Sequence, residues 1–169
     1  MSEYLVISSS LRSGSLSRRL GELLVHEFEK AGEHVDLRDY PLPLCDGEAA
    51  YSDPNVGKLN AKIAAARVVF IATPIYNFDA NAAVKNLVEL TGSAWEDKIV
   101  GFACAAGGAS SYMSVMGLAN SLMLDFRCII IPRFVYATGA DFAGGKISNP
   151  EIHQRLRQLA ESALKLRTA

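Results

Sequence analysis

Two hydrophobic rhythms alternate along the chain. Short runs of consecutive apolar residues are separated by stretches whose apolar positions recur every three or four residues. The first rhythm is that of a buried strand and the second that of a helix with one apolar face. Tyr4-Leu5-Val6-Ile7 predicts a first strand. Leu16, Leu20, Leu23, Leu24 and Phe28 predict a helix, with Gly32 as its C-terminal cap. Val35 and Leu37 alternate with polar residues, predicting a short second strand over His34 to Arg38. The prolines of Tyr40-Pro41-Leu42-Pro43-Leu44 make a loop. A helix with Val56, Leu59 and Ile63 inward leads to a strand at Val68 to Ala72. A helix over Asn81 to Leu90 turns Val84, Leu87 and Val88 inward, ahead of a strand at Ile99 to Cys104. The next helix carries Val115, Met116, Ala119, Leu122 and Met123, and the strand Cys128 to Ile131 stops at Pro132. A glycine-rich loop, Gly139 to Gly145, precedes a last helix with Ile152, Leu156, Leu159 and Ala163 inward. That helix opens on Asn149-Pro150-Glu151: a cap, a first-turn proline and an acid suited to the helix dipole.

Five strands alternate with five helices, and the strands at Val68, Ile99 and Cys128 are apolar on both faces, as covered parallel strands are. Right-handed crossovers then predict an α/β fold. It is a flavodoxin-like, doubly wound five-stranded parallel sheet in the order 2-1-3-4-5, with helices on both faces. No repeat or low-complexity tract breaks residues 1–169, so a single domain is expected.

Composition narrows the partners. Lys and Arg number 17 against 18 Asp and Glu, which gives no electrostatic reason to expect nucleic acid or an acidic membrane surface. The apolar runs are far too short to cross a bilayer. The opening residues, Met1-Ser2-Glu3-Tyr4, lack the basic segment of a signal peptide. Cys45, Cys104 and Cys128 are odd in number and widely spaced, which suits a reducing cytoplasm better than a disulfide framework.

In such a sheet, ligands sit beyond the carboxyl ends of the strands, at the switch point beside the first strand. The loop there is Ser8-Ser9-Ser10-Leu11-Arg12-Ser13-Gly14-Ser15-Leu16-Ser17, which is rich in hydroxyls, holds one arginine, has no acid and opens a helix. Hydroxyl donors, helix-terminal amides and a guanidinium suit a phosphate. Serine also caps helices, but capping accounts for one or two serines and not for six. The absence of acids argues against a phospho-acceptor receiver. GxxxxGK[ST], GxGxxG and GxSxG are absent, and no cysteine stands in the first loop. Triphosphate hydrolysis, a dinucleotide fingerprint, a hydrolase elbow and a cysteine phosphatase are therefore unsupported. After the third strand, Thr73-Pro74-Ile75-Tyr76-Asn77-Phe78 suits either a flat aromatic ligand or a packing interface. After the fourth, Ala105-Ala106-Gly107-Gly108-Ala109-Ser110 allows close backbone approach to a ligand, or simply a glycine turn. Together the loops describe a site for a mononucleotide with a planar ring, with FMN the natural candidate.

These segments carry a family resemblance. Ser9-Ser10-Leu11-Arg12-Ser13-Gly14-Ser15-Leu16-Ser17 matches a GSxRxxSxN pattern, with Ser9 for the usual glycine and Ser17 for the frequent asparagine. Thr73-Pro74-Ile75-Tyr76-Asn77 and Val84-Lys85-Asn86 match TPEYN and LKN. Ile75 replaces a frequent glutamate, and Asn81-Ala82 replaces a frequent Pro-Gly. Gly107-Gly108 matches a GG loop. On these motifs the chain resembles the NADPH-dependent FMN reductase family of flavodoxin-like flavin and quinone reductases. The resemblance implies that Ser10, Arg12, Ser15 and Ser17, with the amide of Leu16, bind the FMN phosphate. It implies that Pro74, Ile75, Tyr76 and Asn77 wrap the ring edge and ribityl chain, and that Gly107, Gly108 and Ala109 lie along the other edge. The flavin carries the hydride chemistry, so no catalytic side chain is implied. NADPH or NADH is the implied donor. Ile75 and the Gly107-Gly108 loop look most like the two-component sulfonate-type subgroup, which hands reduced FMN to a partner monooxygenase. The alternatives are a tightly FMN-bound quinone or azo-compound reductase and a non-enzymatic flavodoxin-like electron carrier. A homodimer or homotetramer is expected, with the fourth helix and the Ile75–Phe78 loop as the places to seek an interface.

Other residues read more plainly. Cys104 and Cys128 read as core, and Cys45 as a residue of the proline loop. His26, His34 and His153 lack partners at ligand spacing, so no metal is expected. Lys85 and Asn86 read as helix surface or packing, and Asp79 as a turn residue or polar contact. Met113, Met116 and Met123 read as core or subunit packing.

Overall fold

The computed structural model describes residues 2–166. Met1 and residues 167–169, the two ends of the expected single domain, lie outside the described residues. The strands are β1 (Tyr4–Ser8), β2 (Gly32–Asp36), β3 (Val68–Tyr76), β4 (Asp79–Ala80), β5 (Ile99–Ala106), β6 (Ile129–Ile130), β7 (Val135–Thr138), β8 (Phe142–Ala143) and β9 (Lys146–Ile147). The helices are α1 (Leu16–His26), α2 (Pro54–Ala65), α3 (Ala82–Thr91), α4 (Met116–Phe126) and α5 (Pro150–Lys165). The main sheet runs β2-β1-β3-β5-β6, with β7 also paired to β5. These pairings are parallel, and short β4 folds back antiparallel on the end of β3. This is the expected doubly wound order, with its last position shared by two pieces of strand.

Alternation along the strands divides the core in two. Leu5, Ile7, Val69, Ile71, Val100 and Phe102 face α2, α3 and α4. Tyr4, Val6, Val68 and Phe70 face α1 and α5, against Leu20, Leu24, Leu156 and Leu159. Strands buried on both faces must be apolar at nearly every position, which is why these runs are unbroken in the sequence. Two glycines set the spacing of the second layer. A Cβ on Gly101 would lie 2.7 Å from the Phe70 ring, and one on Gly21 would lie 2.7 Å from Ser8 Oγ. The second contact lets α1 lie close over the carboxyl end of β1.

Four expectations change. Gly32 does not cap α1, which ends at His26; Phe28 turns inward beyond it to stack between Tyr4 and Phe70 at ring-centroid distances of 4.3 and 5.1 Å. Gly32 is the extended first residue of β2, and its missing side chain makes room for the Val25 carbonyl, 2.8 Å from where a Cβ would stand. The second strand therefore spans Gly32–Asp36 rather than His34–Arg38, because Asp36 accepts the Arg38 amide at 3.0 Å and starts a turn. The fifth strand is not the run Cys128 to Ile131. Pro132 and the tight turn after Ile131 break it, and β7 takes the upper half of the position beside Ala103 to Ala106. Being at an edge, Ile129 is exposed rather than covered on both faces. Of the core and subunit-packing readings of Met116 and Met123, the core one fails: each is 37% exposed on α4, because Val115, Leu118, Ala119 and Leu122 already fill the face against the sheet.

The cap of the last helix is as expected, with Asn149 Oδ1 accepting the Glu151 amide at 2.9 Å. No helix among the described residues is long and apolar enough to cross a membrane.

Candidate functional site

Beyond the carboxyl ends of β1, β3 and β5 lies a cleft of about 630 Å³, within the size range of small-molecule and cofactor sites. One end is lined by Ser10, Arg12, Ser15, Leu16 and Ser17, the loop from β1 into α1. Ser15 is the N-cap of α1: its Oγ accepts the Arg18 amide at 3.2 Å and lies 3.0 Å from Ser17 Oγ. The Leu16 and Ser17 amides of that turn have no carbonyl one turn back to bond, so they remain donors. Arg12 is exposed and has no acidic partner among the described residues. Among the described residues no carboxylate lines the cleft. This end is rich in donors, which suits an anion.

The opposite wall is the end of β3 and the hairpin it enters: Pro74, Ile75, Tyr76 and Asn77. Ile75 pairs with Ala80 and Tyr76 with Asp79, leaving Asn77 and Phe78 at the turn with φ of 50° and 64°. Both central residues are left-handed, as a two-residue type I′ hairpin demands. Asparagine tolerates that region, whereas phenylalanine rarely occupies it. Ala105, Ala106 and Gly107 at the end of β5 form the floor, and Gly139 after β7 closes it. Gly108 and Ala109 belong to the same loop but lie outside the cleft wall.

Three buried devices fix these loops. Arg18, 7% exposed, donates from Nη1 to the Ser13 carbonyl at 3.1 Å and from Nη2 to the Arg12 carbonyl at 2.9 Å. Its Nε lies 2.7 Å from Asp36 Oδ2, an ion pair too bent to count as a hydrogen bond. Burial works to raise the Asp36 pKa, but hydrogen bonds from Arg38 and the charge of Arg18 outweigh it and hold the carboxyl below its ordinary value. Asn81, at the start of α3, bonds Ser9 and Thr73. Tyr136 on β7 donates to the Gly108 carbonyl at 2.6 Å and lies 2.7 Å from Ser111 Oγ, bracing the β5 loop.

The sequence reading named the three loops but missed these braces and Gly139. Arg18 did carry a signal: a cation in the first turn of a helix opposes the dipole, so it calls for a specific partner. Gly139 and Tyr136 carried none, because they follow a strand that the periodicity did not reveal. Lys85 points outward and pairs with Glu89 at 2.6 Å. Asn86 pins the proline loop instead, accepting from the Cys45 amide and donating to the Pro43 carbonyl, each at 2.9 Å. Asp79 Oδ1 accepts its neighbour's amide in the hairpin. Cys104, on β5, is buried, and burial pushes its thiol up to about 12.

The sequence pattern of the family described as NADPH-dependent FMN reductase matches residues 3–143. A curated relative, the NAD(P)H-dependent FAD/FMN reductase of Geobacillus thermodenitrificans, is 29% identical over 130 residues, covering 75% of this chain and 70% of that protein. The probable NADPH:quinone oxidoreductase 2 of Oryza sativa subsp. japonica is 27% identical over 167 residues, covering 90% and 82% respectively. Among solved structures, FerB, a flavoenzyme NAD(P)H:(acceptor) oxidoreductase of Paracoccus denitrificans, superposes with a TM-score of 0.77 at 20% identity, covering 96% of this chain and 94% of that one. At that identity the likeness is one of fold.

Proposed function

Because this chain belongs to the NADPH-dependent FMN reductase family, an oxidoreductase family that uses FMN and a nicotinamide, we propose that the cleft between Arg12 and Tyr76 is its FMN site. The observation that carries this is the division of one cleft into a donor-rich end and an apolar, aromatic-rimmed end. A flavin mononucleotide has the matching halves. When bound, the flavin supplies the hydride chemistry and the protein supplies position and surroundings.

Ser10, Arg12, Ser15 and Ser17, with the Leu16 amide, hold the phosphate. Pro74 fixes the chain direction after β3, so that Ile75, Tyr76 and Asn77 flank the ring edge and ribityl chain. Gly107, with Gly108 and Ala109 just beyond the wall, borders the other edge. Among the described residues no carboxylate stands in the wall to repel the phosphate, and no acid or base is assigned to a side chain.

The finer reading is that FMN is a passing substrate, reduced by NADPH or NADH and released to a partner monooxygenase. The exposed rim residues Tyr76 and Asn77 support it, since none of the described residues folds over them. The competing reading is a tightly held flavin that reduces quinones or azo compounds. The rice relative, described as a quinone oxidoreductase, favours that one.

A visible spectrum of the purified protein, before and after adding FMN and then NADPH without oxygen, tests the proposal. A colourless protein that consumes NADPH only when FMN is supplied supports the passing-substrate reading. A yellow protein with near-stoichiometric flavin, bleached by NADPH, supports the prosthetic one. A protein that neither binds FMN nor reduces it overturns both.

A further inference from the structure

We propose that Arg18 is the positioning residue of the phosphate-binding loop, holding its backbone carbonyls away from the cleft without touching the ligand. The inference rests on the reading of the cleft as an FMN site. Arg18 is absent from the cleft wall and is buried behind it. Two penalties attach to that position: a cation opposes the dipole at a helix N-terminus, and a buried guanidinium loses its hydration. Both are offset by three specific contacts, to the carbonyls of Arg12 and Ser13 and to Asp36.

Those two carbonyls lie in the middle of the loop. A carbonyl oxygen turned toward a phosphate would repel it. One guanidinium gathers both and draws them to the buried side, so the loop presents hydroxyls and amides to the cleft. It also fixes the backbone from which the Arg12 side chain reaches out. Asp36 anchors the guanidinium from β2 and is itself held by the Arg38 amide at 3.0 Å and Arg38 Nη2 at 2.8 Å. A planar fork can serve three acceptors in fixed directions, which a single ammonium cannot. Asp36 is shared between Arg18 and Arg38, so the role proposed for Arg18 rests on where it places the two carbonyls and not on neutralised charge.

The test compares FMN with riboflavin, which lacks the phosphate. Dissociation constants for both are measured on the wild-type chain, Arg18→Lys and Arg18→Gln, with thermal melts of each. Wild-type protein that fails to bind FMN more tightly than riboflavin overturns the reading of the site itself. Given that preference, Arg18→Lys is expected to lose about tenfold or more in FMN affinity while riboflavin affinity stays within about twofold, and Arg18→Gln to lose at least as much. Equal losses on both ligands, or no loss, overturn the proposal. So does full FMN affinity in Arg18→Lys with a loss only in Arg18→Gln, because charge would then suffice. If Arg18→Gln does not fold, Arg18→Lys decides by the same criterion.

Discussion

Asn81 and Ser9 bond each other in both directions: Asn81 Nδ2 donates to the Ser9 carbonyl at 2.8 Å, and Ser9 Oγ donates to Asn81 Oδ1 at 2.7 Å. Thr73 Oγ1 adds a third bond to the same amide oxygen at 3.1 Å. One buried side chain thus ties the end of β1, the end of β3 and the start of α3. The two residues are also among the positions where this chain departs from the motifs it resembles, with serine for glycine and asparagine for proline. The departures are coupled by direct contact.

Asn81→Ala removes the donor to the buried Ser9 carbonyl and leaves the Ser9 and Thr73 hydroxyls only their longer bonds to the Ala72 and Pro74 carbonyls, at 3.5 and 3.3 Å. Unsatisfied buried groups of this kind cost about 1–3 kcal/mol each. The variant is expected to lose roughly 2–4 kcal/mol in urea unfolding. A change below about 0.5 kcal/mol, the range of ordinary surface substitutions, would show that the clamp contributes nothing.

Arg12 is the exposed cation of the phosphate end. Charge-assisted bonds contribute about 1.5–3 kcal/mol, so Arg12→Ala should weaken FMN binding by roughly 10- to 100-fold. Riboflavin binding should be unchanged, and isothermal titration with both ligands checks this. A parallel loss on both ligands would mean that Arg12 holds something other than the phosphate.

Phe78 is 66% exposed and held at φ 64°. Replacing a large side chain by glycine usually destabilises a protein. Here Phe78→Gly relieves a left-handed residue worth about 1–2 kcal/mol and gives up little burial. The expected result is a melting temperature equal to or above that of the parent. A clear drop would assign the exposed ring a packing role.

His34 is half-buried, with Nε2 2.8 Å from Ser8 Oγ. Burial lowers its pKa, outweighing the opposing pull of Glu22 and Asp36. A base whose folded pKa lies below its unfolded value binds protons better when unfolded, so stability falls as pH drops below the unfolded value toward the folded one. Unfolding free energy should decline as pH falls from about 7 to about 5, and His34→Gln should flatten that decline. An unchanged slope would place the acid sensitivity elsewhere.

Thiol labelling should separate the three cysteines. Burial pushes Cys104 up to about 12 and Cys128 up to about 11, and both are enclosed. Cys45 is partly exposed. Rapid native modification is expected at Cys45 alone, with the other two reacting only in denaturant, as peptide mapping would show. Fast labelling of Cys104 would show that the floor of the cleft opens.

What the sequence made legible follows from how each feature is encoded. Unbroken apolar runs announce strands covered on both faces, so β1, β3 and β5 were readable. The loops after β1 and β3 were readable because serines, arginine and Tyr76-Asn77 state their chemistry in consecutive residues. The braces were not, because Arg18 and Asp36, or Asn81 and Ser9, meet only after the sheet has assembled. β7 was hidden because Pro132 cuts its neighbour short. Gly32 misled because glycine serves close approach as often as it serves a positive φ.

That interrupted fifth position also limits how the sheet can grow. An open sheet offers its outer strands as templates for another chain, and long flat edges invite aggregation. On this side the outer strand is two residues of β6 and four of β7, parted by Pro132, which has no amide hydrogen to donate. An incoming strand finds no continuous ladder to extend. This margin is thereby closed to growth strand by strand.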